Sequence, residues 1–296
     1  MSSRRPARRD YQRYGGRRRE PERGSGRSFA WVALLLGVGV IGGFALLRDR
    51  FGGSSDPVVV STVEAPPVAF VIPEGLRRED IAAKLDAETT LSGEEYLRLT
   101  AASARGATLA GASKPTSLEG FLFPATYQIG SRLTVQELVD AQIDAYEARV
   151  AGVDYRAARS KNLTKFDVLT IAAMIEREVR RPDERRLVAG VMYNRLQQSI
   201  RLDIDATVQF AIGSWKTELT VTDLANDSPY NTRKFPGLPP GPICNPGLAS
   251  IRAAANPKPS SFIYYVARGD GSGGHYFATT PAEFEVAVAK AAQNRS

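Results

Sequence analysis

The chain of 296 residues is poor in the side chains that most often announce chemistry: it has one cysteine, Cys244, and one histidine, His275. A single cysteine excludes an internal disulfide framework, and with one histidine beside it the usual zinc cages are excluded as well. No internal repeat is visible. Most of the chain also lacks a charge bias. The formal charge is +7, but residues 1–28 alone carry ten arginines against Asp10, Glu20 and Glu22, a net of +7. The remaining 29 basic and 29 acidic residues cancel. A basic surface for nucleic acid is therefore not a property of the body of the chain.

What is present first is a long apolar run. From Phe29 to Leu47, FAWVALLLGVGVIGGFALL, no side chain is charged. At about 1.5 Å per residue this run nearly spans a hydrocarbon core of about 30 Å. A cleaved leader has a shorter apolar region ending at small-x-small, whereas this run closes on Leu46-Leu47-Arg48. It predicts an uncleaved single-pass anchor in the cytoplasmic membrane. Positive charge stays inside, so residues 1–28 should be a disordered cytoplasmic tail and the chain beyond the anchor extracytoplasmic. Residues 48–67 then read as a linker, flexible at Gly52-Gly53 and stiffer at Pro66-Pro67.

With 43% hydrophobic and 24% charged residues, the rest can bury a sizeable core. Its pattern predicts an α+β fold in two parts. In residues 68–108, Val68–Ile72 reads as a strand, Pro73-Glu74-Gly75 as a turn and Arg78–Leu85 as a helix. Ser92-x-x-Glu95 has the form of a capping box before a second helix. This strand–helix–helix order resembles a LysM-like, carbohydrate-associated module; a plain spacer has the same pattern. In residues 115–296, Ala125–Ile129 reads as a strand, and Thr134-x-x-Glu137 and Thr164-x-x-Asp167 open two helices, the second over Lys165–Arg180. A further helix is predicted from about Glu184 to Gln197. Residues 199–260 look loop-rich, Phe262–Ala267 with His275–Ala278 a hairpin, and Thr280-Pro281-x-Glu283 the start of a last helix.

Two helices carry anomalies. On the helix of residues 165–180, with Val168 at zero, Ile171, Ala172, Ile175 and Val179 fall within an arc of about −60° to +40°. The same rotation puts Glu176 and Glu178 just outside that arc, one on each shoulder. Partial burial there raises a carboxyl pKa and suits a general acid. A solvated or salt-bridged glutamate sits at a helix edge equally well. On the next helix Asn194 shares the apolar face with Leu187 and Val191, so its amide must be hydrogen-bonded, either as a brace or to a substrate. Asp203 and Asp205 could be ligands or caps, and Tyr230-Asn231-Thr232 and Gly237–Gly241 could wall a groove or form turns. His275 is open between groove and core, and Cys244 reads as an inert thiol.

Taken together and in order, LTIAAMIERE (169–178), Asn194-Arg195-Leu196, RLDIDATV (201–208), YNT (230–232), GLPPGPICNPG (237–247) and GGHYF (273–277) resemble the endolytic murein transglycosylases of the MltG/YceG-like family. LEGFLFPATY (118–127) resembles that family's upstream segment. The resemblance covers roughly residues 30–292 and implies an anchored, metal- and cofactor-free lytic transglycosylase. Its substrate would be peptidoglycan glycan strands, and peptidoglycan synthases are partners it admits. It places Glu176 on the single catalytic glutamate, with Glu178, Asn194, Asp205, Tyr230, Asn231 and Thr232 around the cleft. The chain departs at Asp203-Ile204-Asp205-Ala206, where a relative commonly reads Gln-Thr-Asp-Pro. The implied chemistry cleaves the bond between N-acetylmuramic acid and N-acetylglucosamine to leave a 1,6-anhydro end. Hydrolysis by Glu176 with Asp205, and glycan binding without catalysis, are the alternatives.

Overall fold

A strand, three short helices and a returning strand begin the computed structural model, which describes residues 66–101, 104–111, 115, 117–216 and 218–295. The expected tail, anchor and most of the linker lie outside the described residues. Among the described residues no helix is long and apolar enough to cross a membrane.

In chain order the elements are β1 (Val68–Val71), α1 (Arg78–Glu88), α2 (Gly93–Leu99), α3 (Ala104–Ala110), β2 (Thr126–Ile129), α4 (Val135–Val150), α5 (Arg156–Arg159), α6 (Lys165–Glu178), α7 (Arg185–Gln197), α8 (Asp205–Ala211), α9 (Val221–Leu224), α10 (Leu248–Ala255), β3 (Tyr264–Ala267), β4 (His275–Ala278) and α11 (Pro281–Gln293). The mixed α+β class follows the expectation. The capping motifs form as the residues dictate: the hydroxyls of Thr134, Thr164 and Thr280 accept from the third backbone N–H of α4, α6 and α11, and Glu137, Asp167 and Glu283 reach back. Each such cap contributes about 1 kcal/mol. Three differences from the sequence reading stand out. The loop-rich stretch holds α8, α9 and α10. The hairpin ladder begins at Tyr264, after Phe262. And α6 stops at Glu178, because Val179 turns extended at φ −109° and ψ 110°.

The strand of the 68–108 segment finds its partner beyond residue 115. β1 pairs antiparallel with β2, Val68 opposite Ile129 and Phe70 opposite Tyr127. Ile72 continues the pairing by donating to the Ala125 carbonyl at 2.9 Å. The small core beneath this sheet draws Phe70, Ile81, Leu85 and Tyr96 from one side of the expected boundary and Leu118, Leu122, Ile129, Leu138 and Ile143 from the other. Burying each such side chain contributes about 1.5–3 kcal/mol.

The larger core is built around α6. Its residues Val168–Ile175 are buried without a break, because α10, α7 and α8 pack around it. The helix is thus enclosed rather than one-faced. Beyond Ile175 its last turn, Glu176-Arg177-Glu178, comes out.

Candidate functional site

That emerging turn divides its two carboxylates. Glu178 lines a cavity of about 750 Å³ walled by the loop of residues 201–205, β3 and α11; Asp203, Asp205, Arg195, Arg201, Arg233, Tyr264, Tyr265 and His275 also line it, and Glu176 does not. Burial pushes the Glu178 carboxyl up to about 7, and the Asp205 charge adds to this. The Tyr265 hydroxyl, the Arg233 guanidinium and the Ala206 backbone N–H oppose it. Tyr265 donates to Glu178 Oε2 at 3.3 Å. A carboxyl that titrates near neutrality in a concave, partly desolvated site can both deliver and recover a proton.

Glu176 meets a different set of groups. Its Oε2 accepts the Gly247 N–H at 3.0 Å, at the start of α10. Arg185 Nη2 lies 3.7 Å from its Oε1. The Glu74 carboxyl also packs here: a Cβ on Gly247 would fall 1.8 Å from Glu74 Oε1. Burial first and then the Glu176 charge push the Glu74 carboxyl up, against the pull of Arg185. Arg177 donates to the Gly75 carbonyl at 3.3 Å and lies 3.8 Å over the Trp215 ring, whose other neighbours are Arg77 and Asp80. So Arg177 holds the Pro73–Gly75 turn between β1 and α1, Glu176 is fastened to the start of α10, and Glu178 looks into the cavity.

The residues expected around the cleft divide in the same way. Asp205 is there, at the first turn of α8 and paired with Arg233. Asn194 is engaged as a brace: its Nδ2 donates to the carbonyls of Ser260 and Phe262, both at 2.8 Å. Its neighbour Arg195 donates to the Ile263, Arg201 and Leu202 carbonyls and pairs with Asp203 at 3.2 Å. Together they pin the two walls of the cavity to α7. Asp203 takes a left-handed conformation, φ 56°, at the rim. Asn231 is fully buried; its Nδ2 donates to the Leu224 and Asn226 carbonyls and its Oδ1 accepts from Arg233 N–H. Thr232 Oγ1 accepts from Ile204 N–H at 3.1 Å and lies 2.9 Å from Thr207 Oγ1. The Tyr230 ring packs on Phe210, centroids 4.7 Å apart. None of Asn194, Tyr230, Asn231 or Thr232 lines the cavity. The side-chain donors of Asn194 and Asn231 are thus engaged on loop carbonyls.

His275 is both of the things the sequence left open. It is buried, with Nδ1 2.7 Å from Glu184 Oε2, and it lines the cavity. Tyr265 and Arg233 escaped the sequence reading. Arg233 follows directly on the YNT motif, and Tyr265 is one of two adjacent tyrosines in a predicted strand, which are the only signals that could have raised them. Cys244 is buried, its thiol pushed well up by burial.

Against known proteins, residues 53–290 match the model of the YceG-like family. The endolytic murein transglycosylase of Streptococcus pneumoniae R6 is 33% identical over 248 residues, 75% of this chain and 44% of its own length. That of Bacillus subtilis 168 is 38% identical over 156 residues, 52% of this chain and 43% of its own. The chain thus matches less than half the length of these curated relatives. The crystal structure of a yceG-like protein from Listeria monocytogenes superposes with a TM-score of 0.66 at 32% identity, covering 75% of this chain and 76% of that one.

Proposed function

The chain belongs to the YceG-like family, and from that premise we propose that it is an endolytic peptidoglycan lytic transglycosylase whose acid is Glu178. The observation that carries this is the Glu178 carboxyl itself, half-buried at the cavity wall and pushed up to about 7. The family resemblance in the sequence points to an acid two residues earlier. Glu176 is bound to Gly247 N–H beside Arg185, outside the cavity, and the assignment moves accordingly.

The reaction proceeds in two proton transfers. Protonated Glu178 donates to the oxygen linking N-acetylmuramic acid to N-acetylglucosamine as the bond from C1 breaks, leaving an oxocarbenium-like centre. Glu178, now a carboxylate, takes the proton of the same sugar's C6 hydroxyl while O6 bonds to C1. The 1,6-anhydro ring closes, no water is consumed, and Glu178 is protonated again. One acid suffices. A hydrolytic muramidase is the second reading, favoured by Asp205 in the same cavity. Mass spectrometry of products from purified glycan strands tests the two. Internal fragments with 1,6-anhydro ends are expected, and reducing ends would overturn the transglycosylase reading in favour of hydrolysis.

The order β1–α1–α2–α3 supports the LysM-like reading of residues 68–108, and β2, which lies beyond that bound, supplies the strand paired with β1. The run from Phe29 to Leu47 is the proposed anchor, with the arginine-rich tail inside. A reporter active only outside the cytoplasm, fused after residue 296, should be active. Recovery of the protein chiefly as a processed soluble form would reject the anchor.

A further inference from the structure

One donor at the cavity has no part yet in that chemistry. Tyr265 lies in β3 opposite Phe277 of β4, and its ring is held from behind. The His275 imidazole packs edge-on against it, centroids 5.4 Å apart at 86°. His275 is fixed in turn by Glu184: Nδ1 lies 2.7 Å from Oε2, and the His275 N–H donates to both carboxyl oxygens at 3.0 and 3.1 Å. Glu184 itself is 5% exposed. A carboxylate, an imidazole and a phenol are thus stacked in series, and the last of them presents its hydroxyl to Glu178 Oε2.

We propose that Tyr265 is a positioning residue for Glu178, holding Oε2 by one hydrogen bond throughout the outward and return transfers of the proton. The inference rests on Glu178 being the acid. A neutral phenol can donate to either form of the carboxyl, but it binds the anion more tightly. It therefore stabilises the carboxylate that exists between the two transfers and keeps the carboxyl plane from rotating. The other groups facing Glu178 are fixed charges and one amide: Asp205 and the Ala206 N–H from α8, and Arg233 from the loop after α9. Of these Asp205 works against the carboxylate, and Arg233, Ala206 and Tyr265 work for it. Tyr265 has Glu178 as the first charge acting on its phenol, after burial, and both keep the phenol neutral. Removing the hydroxyl should make the carboxylate harder to form and the acid weaker.

The test is Tyr265→Phe, which keeps the ring and its stack on His275. On polymeric glycan kcat should fall about 10-fold, the worth of one hydrogen bond to a charged group, with KM little changed. The alkaline limb of the pH profile should move to higher pH, and a carbon-13 titration of the Glu178 carboxyl in the unliganded protein should show the same upward displacement. A packing role would move neither. Glu178→Gln is measured alongside. If it is inactive while Tyr265→Phe keeps the wild-type kcat and limb, Tyr265 is only a wall residue and the inference falls, with the acid intact. If Glu178→Gln is active, the acid assignment falls instead. An unmoved carbon-13 titration overturns the inference in either case.

Discussion

Glu176 and Glu178 share the last turn of α6 and serve opposite sides of it: Glu176 Oε2 accepts the Gly247 N–H at 3.0 Å, and Glu178 Oε2 accepts the Tyr265 hydroxyl at 3.3 Å. Helix positions two apart are separated by about 200°, so the turn works as a two-sided fitting. One side secures the start of α10, and the other faces the cavity.

Exchanging each glutamate in turn separates these roles. Glu178→Gln should lower turnover about 10²-fold or more, the lower range for a lost general acid, with the melting temperature nearly unchanged. Glu176→Ala should keep turnover within a few-fold. It leaves the Gly247 N–H and Arg185 without their partner, so stability should fall by about 1–3 kcal/mol in a denaturant titration. The reverse ranking would return the acid to Glu176.

The pH profile should report Glu178 directly. The acid must be protonated to donate, and its carboxyl titrates at about 7. Turnover should therefore decline above about pH 7, approaching tenfold per unit. In Asp205→Asn the charge that helps hold the proton is gone, and the limb should move to lower pH. An unmoved limb would show that Asp205 does not act on the titrating group.

Stability should carry a pH signature of its own at Glu119. Burial pushes this carboxyl from 4.5 up to about 8, so between those values the folded chain holds a proton that the unfolded chain has released. Its contribution to stability is complete below about pH 4.5 and is lost as pH rises through about 8. Melting temperatures from pH 5 to 9 should show wild type falling more steeply than Glu119→Gln. Parallel curves would mean that Glu119 is ionised throughout.

Asn245 joins both cores, and its loss should be felt in both. Its Nδ2 donates to the Leu76 carbonyl and to Glu119, and its Oδ1 accepts from Gly120 and Leu122 N–H. Asn245→Ala strands three buried groups, the Gly120 and Leu122 N–H and one Glu119 oxygen, while the Leu76 carbonyl keeps the residue-245 backbone N–H; it should cost about 2–4 kcal/mol. A loss smaller than that of a single ordinary hydrogen bond would show that water replaces the amide.

Local signals were legible in the sequence and long-range ones were not. Thr134, Thr164 and Thr280 announced their helices because a cap depends only on the three residues that follow. The sequence marks Asn194 as an amide on an apolar face, but its partners, Ser260 and Phe262, come from a distant loop that no local pattern could name. The choice between Glu176 and Glu178 turns on contacts of the same kind. The angular argument gives α6 one buried arc, and the helix is buried all round from Val168 to Ile175; what meets each shoulder of its last turn, Gly247 on one and Tyr265 on the other, comes from far along the chain. α8 was missed because Asp205 opens it without a hydroxyl cap, in a stretch whose turns dominate the pattern.

The pairing of β1 with β2 sets where this protein can be divided. A fragment begun at residue 115, where the sequence suggested a boundary, would keep β2 with no strand beside it and leave Leu118, Leu122, Leu138 and Ile143 facing water. Such a fragment should aggregate or need detergent, while one begun near residue 66 should not. The same pairing means that a protease nick between α2 and β2 would not release the front part. The two pieces would stay clasped through the ladder and Asn245, and would separate only when the part built on α6 itself unfolds.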